Sequence, residues 1–256
     1  MTRRNALITT AAGTSALAAQ TTKAPSFLEL RYYYMRNSRT NQTQRTSEFL
    51  AGTYVPAIKR AGAGPVGIFN ATIAAESPFA LVATSYPSLA AMQTALEKLA
   101  ADAVYQKAHK AWNSGVEMPY VRMESTLLRC FGAMPTVDPG TPGPSPRTFE
   151  LRTYESDNEA TLQKKIRMFE DAEIDIFRKC GMHPVFFAEA IVGPKLPCLT
   201  YMLAYDSLPG RDKAWSTFGS HPDWLKLRAT PGLSDPEIVS NISNAILKPG
   251  SGSEIR

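Results

Sequence analysis

The sequence predicts an α+β protein built from two tandem β-α-β-β-α-β modules, and three observations predict it. A proline-dense stretch divides the chain, similar residues recur on both sides of it, and the apolar periodicity changes in the same order within each half. The divider is MPTVDPGTPGPSPR, Met134 to Arg147, with five prolines. No core element tolerates that density, so 133–147 reads as an extended connector. It separates a first module, 26–132, from a second, 148–249, with 250–256 left as a tail.

The recurrence is visible residue by residue. FLELRYYY at 27–34 resembles FELRTYES at 149–156, so that Glu29, Arg31 and Tyr33 match Glu150, Arg152 and Tyr154. Further along, Gly62, Pro65 and Tyr86 match Gly181, Pro184 and Tyr205, and Asp102, Tyr105 and Lys107 match His221, Trp224 and Lys226. The spacing between partners is nearly constant, which points to a duplicated unit.

Each half opens with an alternating strand. In the first, Leu28, Leu30 and Tyr32 share one side and Glu29, Arg31 and Tyr33 the other. A helix follows, over 43–61 and 160–180, where Leu162, Ile166, Phe169, Ile174 and Phe177 recur at helical spacing. Gly62 and Gly181 stand as C-caps. Strand pairs come next, Val66–Ala74 with Ala80–Tyr86 and Val185–Val192 with Cys198–Tyr205, turned at Pro78 and at Gly193-Pro194. A second helical segment covers 88–112 in the first half and is broken into 209–219 and 222–228 in the second. The closing strands are Tyr120–Phe131 and Ile238–Leu247. This order is the ferredoxin-like plan, a four-stranded antiparallel sheet with helices on one face. The bare sheet faces must then meet each other, packed sheet to sheet around a shared interior.

Residues 1–23, MTRRNALITTAAGTSALAAQTTK, have a basic start, a weakly apolar middle and an Ala16-Leu17-Ala18 cut-site pattern, the order of an export signal. Arg3-Arg4 resembles the twin-arginine form. The expected location is therefore the periplasm or the exterior. The stretch is too short and too rich in small residues to span a bilayer.

The formal net charge is +5 with no long basic run, so no nucleic-acid face is expected. Cys130, Cys180 and Cys198 show no metal-ligand spacing and read as buried thiols, although one disulfide is compatible with export. No dinucleotide-loop, P-loop, zincin or nucleophile-elbow site is expected.

The motifs FELRTYES, MFEDAEIDIFRKCGMHPVFFAEAIVG, LTYMLAYDSLPGRDKAWSTFGSHPDWLKLRA and EIVSNISNAILKP strongly resemble the NIPSNAP family. FLELRYYYM carries a looser likeness in the first half. The resemblance implies a dimeric α/β-barrel arrangement of the two modules. It implies little chemistry, because the wider superfamily includes haem-degrading and cofactor-independent monooxygenases. The expected function is small-ligand binding or protein interaction through the barrel cleft, with a monooxygenase acting on an aromatic or haem-like substrate as the alternative. No cofactor is required on this reading, haem is the one cofactor it admits, and a homo-oligomer is compatible with it.

Two constellations are candidate sites. The Leu sides must pack on the helices, so Arg31, Tyr33, Glu150, Arg152 and Tyr154 are expected to point into the barrel. There they form either an anion or carbonyl pocket or a structural Glu–Arg bridge, and the residue types favour the bridge. Asn70 and Glu189 join either arrangement. The second constellation is Arg211, Trp215, His221 and Trp224, which could hold a flat ligand. The plainer reading makes both indoles core anchors and His221 a cap. His183 is the candidate proximal ligand should haem bind.

Overall fold

A computed structural model describes residues 23–141 and 147–256. The expected export signal lies almost wholly outside them. The first half runs β1 (Phe27–Tyr34), α1 (Gln42–Phe49), a π-helical turn (Leu50–Tyr54), α2 (Val55–Arg60), β2 (Val66–Ile73), β3 (Phe79–Tyr86), α3 (Leu89–Ala101), α4 (Ala103–Trp112) and β4 (Arg122–Cys130). The second runs β5 (Thr148–Glu155), α5 (Glu159–Met168), a π-helical turn (Phe169–Glu173), α6 (Ile174–Lys179), β6 (His183–Val192), β7 (Cys198–Tyr205), α7 (Leu208–Ser220), α8 (Pro222–Arg228), α9 (Asp235–Ile238) and β8 (Asn241–Pro249).

Local chemistry explains most boundaries. Asn158 forms a reciprocal capping box with Thr161 at the start of α5. Ser88 and Ser207 cap α3 and α7 through their hydroxyls. Gly62 and Gly181 take φ of 104° and 78°, as left-handed helix stops require. Two boundaries differ from expectation. The 88–112 helix breaks at Asp102, whose extended backbone (ψ 100°) lets its carboxylate accept from the Val104 and Tyr105 amides, both at 3.0 Å. The last strand starts at Asn241 rather than Ile238, because Pro236 and a Ser234–Glu237 capping box wind Asp235–Ile238 into one helical turn.

The strands do not form two stacked sheets. They close into one antiparallel barrel in the order β1-β3-β2-β8-β5-β7-β6-β4. β2 joins β8 through Phe69↔Pro249 and Ala71↔Leu247, and β4 joins β6 through Leu128↔Ala190 and Cys130↔Ala188. Edge strands left open would expose rows of unpaired amides, and closure removes every edge. The protein is thus a mixed α/β fold around a closed eight-stranded barrel.

The barrel also reverses the expected faces. Leu28, Leu30, Phe69, Leu81, Leu128, Phe149, Leu151, Phe186, Met202 and Leu247 form one core inside it, drawn from both halves. Two further cores lie between the strands and the helices. One holds Tyr33, Leu50, Tyr54 and Ile58, the other Tyr154, Phe169, Phe177 and Tyr201. The Glu-Arg-Tyr faces therefore meet the helices, not the interior. An eight-stranded barrel leaves room for little more than its own side chains. A charge placed there would find few partners, whereas the helices supply them.

One end of the barrel is plugged. Val137 of the connector and Ile255 of the C-terminal segment are both buried in the interior core. The segment 250–256 is no loose tail. It extends the β8 ladder along β2, with Gly250 N donating to Ile68 O and Glu254 N to Val66 O. The connector is pinned likewise by Asp138 N to Val185 O at 2.8 Å. The other end is open.

Candidate functional site

The polar centre of the second half is built on β5. Glu150 is fully buried, yet its two oxygens accept six hydrogen bonds. Arg211 supplies two, from Nη2 at 2.6 Å and Nε at 3.0 Å, and Trp215 Nε1 another at 2.7 Å. Arg152 at 2.9 Å, Asn244 at 3.2 Å and Tyr205 at 3.3 Å complete the set. Burial pushes the carboxyl pKa up. The Arg211 and Trp215 hydrogen bonds and the Arg152 charge outweigh it and hold the pKa at about 2. Arg152 also donates to Tyr154 Oη and stacks 4.6 Å over the Trp215 ring.

The corresponding centre of the first half is sparser. Glu29 Oε1 accepts from Arg31 at 2.7 and 3.0 Å and from Ser125 at 2.7 Å, while Oε2 and the Tyr86 hydroxyl are buried without partners. Met92 and Leu96 occupy the turns of α3 that Arg211 and Trp215 occupy in α7. Neither can donate.

The remaining candidates sit apart. Glu189 bridges Arg129 at 2.7 Å and Gln163 at 2.8 Å. His221 Nδ1 accepts from the Asp223 amide at 3.2 Å, capping α8. Trp224 is buried beside Phe218. Tyr33 packs against Trp112 and Tyr120. Glu150, Arg152, Tyr154, Arg211 and Trp215 thus form one network, and Arg31 and Tyr33 belong to the other half. None of these lines the cavity at the open end of the barrel. A buried pair that the sequence reading did not single out lies nearby: Lys165 Nζ donates to Glu173 at 3.0 Å and to Asp235 at 3.3 Å. Burial opposes the Lys165 charge, but the two carboxylates more than offset it and raise its pKa.

The opening is at the unplugged end of the barrel, a cavity of about 320 Å³. Its aromatic wall is Tyr32 and Tyr34, stacked at 5.6 Å, with Phe79 edge-on to Tyr32 at 5.1 Å. Leu30, Leu151 and Ala245 line its apolar depth. Opposite the tyrosines stand hydroxyls: Thr153 and Thr200, 3.0 Å apart, and Ser243. At the rim Arg122 bonds Glu76 and Glu124, each at 2.7 Å, and lies 4.1 Å over the Tyr34 ring. Lys195 donates to Ser243 at 2.9 Å. Burial, then Tyr34 and Glu124, raise the Tyr32 pKa and keep its phenol protonated. Burial, with Glu155 adding, pushes the Cys198 thiol up to about 11, so it is not a thiolate nucleophile at neutral pH. Such a lining offers ring faces for stacking and hydroxyls as donors.

One signal for this site was present in the sequence. The Leu side of β1 ends in Tyr32 and Tyr34, and a buried apolar face that turns to tyrosine marks where it approaches water. A second pattern misleads. Gly62-Ala63-Gly64-Pro65-Val66-Gly67 has dinucleotide-loop spacing, but it follows a helix and enters a strand, the reverse of the phosphate-binding order. The histidines do not suit a haem in the opening. His109 packs on Phe49 and Tyr105, His221 caps α8, and His183 begins β6 at the plugged end. Among the described residues no cluster of three or more His, Cys, Asp or Glu could hold a metal ion. No helix among them is long and apolar enough to cross a membrane.

Comparison with known proteins adds the following. Residues 149–254 match the NIPSNAP family model. The fold is similar over nearly the whole chain to two provisionally named monooxygenases. The one from Fusobacterium nucleatum is 6% identical, with 88% of this chain and 93% of that chain covered and a TM-score of 0.56. The one from Lactobacillus acidophilus is 12% identical, with 90% and 97% covered and a TM-score of 0.58. A NIPSNAP family protein of unknown function from Agrobacterium tumefaciens is 22% identical and covers 43% of this chain and 94% of its own, with a TM-score of 0.39. No curated protein matches. The second half of the chain is accordingly similar to the NIPSNAP family domain.

Proposed function

We propose that the protein binds a small, flat, mostly apolar molecule in the open end of its barrel. The observation that carries this reading is the division of labour between the two faces of β1 and β5. On the helix side, Glu150 is taken up by Arg152, Arg211 and Trp215, and Arg152 Nε, the donor left without a partner there, is buried away from the cavity. On the inner side, stacked tyrosines and a row of hydroxyls border a cavity of about 320 Å³, a size suited to a small molecule. The test is titration with 1-aminoanthracene, an aromatic probe whose emission rises in apolar surroundings. Saturable enhancement is expected, and Ala245→Phe, which fills the apolar depth, should abolish it while melting stays native-like. Equal enhancement in both proteins would refute the reading.

A second reading, a monooxygenase-like oxidoreductase acting on an aromatic substrate in the same opening, draws its support from the two fold neighbours provisionally named monooxygenases and from a third, an anthrone oxidase-like protein with a TM-score of 0.54. Oxygen consumption on adding an anthrone decides for it.

The same proposal treats 26–132 and 148–249 as tandem ferredoxin-like modules. Their shared order of elements supports this, and so do π-helical turns at matching places, Leu50–Tyr54 and Phe169–Glu173. Residues 1–23 are proposed as an export signal, to be checked by N-terminal sequencing of the protein recovered from the periplasm.

A further inference from the structure

Resting on the proposed opening, we infer that its ligand carries an anionic oxygen, a carboxylate or an acidic enol or phenol, which Lys195 receives. The two cations at the rim are not equivalent. Arg122 is saturated, with a carboxylate at 2.7 Å on each side and the Tyr34 ring beneath it. Lys195 has three ammonium protons and one close acceptor, the neutral Ser243 hydroxyl at 2.9 Å. Its nearest carboxylate, Glu155, stands at 3.7 Å, beyond hydrogen-bond length. The Glu155 oxygen that faces it already accepts from Asn241 at 3.0 Å. Lys195 is therefore a cation with donors to spare, and it lines the cavity.

Its backbone adds an independent observation. Lys195 holds φ of 67°, left-handed geometry that a residue with a Cβ seldom adopts, at the tip of the β6–β7 hairpin. Strain of this kind collects where a side chain must be aimed at a ligand. The hydroxyls of Ser243, Thr153 and Thr200 lie on the same wall and complete a donor surface around the ammonium group. The tyrosine wall opposite carries Glu76 and Glu124, which would repel an anion placed on that side. A flat ligand is thereby oriented, with its ring system against Tyr32 and Phe79 and its acidic oxygen toward Lys195.

The probes are 2-naphthoate and its neutral counterpart 2-naphthamide, titrated by calorimetry at pH 7.5 and moderate salt. The native protein should prefer the naphthoate by about tenfold, the usual effect of one charge-assisted hydrogen bond in a partly desolvated site. Lys195→Gln should remove that preference by weakening naphthoate far more than naphthamide, and should melt as the native protein does. Lys195→Glu should turn the preference against the anion. If both probes bind but bind alike, and Lys195→Gln alters neither, this inference falls while the proposed opening stands. If neither probe binds the native protein, both fall together.

Discussion

Replacing Glu150 by Gln tests the second polar centre most directly. The substitution keeps the shape of the side chain and removes its charge. Glu150 is fully buried, and its pKa stands at about 2 against an ordinary value of 4.5. A depressed carboxyl contributes stability above its unfolded value and loses it as pH falls through the folded one. The contribution is thus complete above pH 5 and fades between about 4.5 and 2. At about 1.4 kcal/mol per unit, the shift corresponds to about 3 kcal/mol. The gap between native and Glu150→Gln at pH 7 should reach about 3–5 kcal/mol, since Arg152 is left buried without its counter-charge. Urea unfolding of both proteins at pH 7, 5, 3.5 and 2.5 gives the gap at each pH. It should stay constant from 7 to 5 and then shrink steadily. A gap below about 1 kcal/mol at pH 7, or one that does not change between pH 5 and 2.5, would refute the argument, because either requires the six observed donors to contribute nothing to folding.

Other perturbations follow from the same geometry. Glu29→Gln should cost only about 1–2 kcal/mol in urea unfolding, because one oxygen of Glu29 is already without a partner. Lys165→Met should cost about 3–5 kcal/mol by stranding Glu173, and most of that loss should return in the Lys165→Met, Glu173→Leu double variant, measured by the same method. Ile255→Ala should cost about 2–4 kcal/mol, and amide exchange should show β2 losing protection at Val66 and Ile68, whose amides donate to Glu254 Oε2 and Ser253 Oγ of the C-terminal segment. Cys198 should resist iodoacetamide at pH 8 in the folded protein and react promptly once the protein is unfolded in urea, as mass spectrometry would read.

Much of the architecture could be read from the residues because it is local. Gly62 and Gly181 stop their helices for the reason that any left-handed stop needs glycine, and Asn158, Ser88 and Ser207 start theirs by capping free amides. The break at Asp102 was equally local. Asp102 stands where His221 stands in the second half, and both side chains cap a new helix just after an extended residue. The plugged end was hidden for the opposite reason. Nothing near Val137 or Ile255 in the chain indicates that each closes a barrel whose walls come from both halves.

The orientation of the sheet faces was hidden more deeply, and it relocates the site. Alternation separates Leu28 and Leu30 from Glu29 and Arg31, but it does not say which set meets the helices. The answer depends on what each environment can supply. Inside the barrel, the neighbours of β1 and β5 are other strands with apolar inner faces, such as Leu81, Leu128 and Met202. A Glu–Arg pair there would lack further donors, and an incompletely paired buried charge is costly. Against the helices, Glu150 gains Arg211 and Trp215 from α7, so its own charge is fully met, although Arg152 Nε stays without a partner. The first half shows the limit of that logic. Met92 and Leu96 bring nothing to Glu29, yet the β1 face keeps the same orientation, because a barrel shared with β5 cannot reverse one strand alone. Closure therefore decides the faces for both halves at once. It leaves the tyrosines at the end of the apolar side, rather than the Glu150 and Arg152 charges, to border the open cavity.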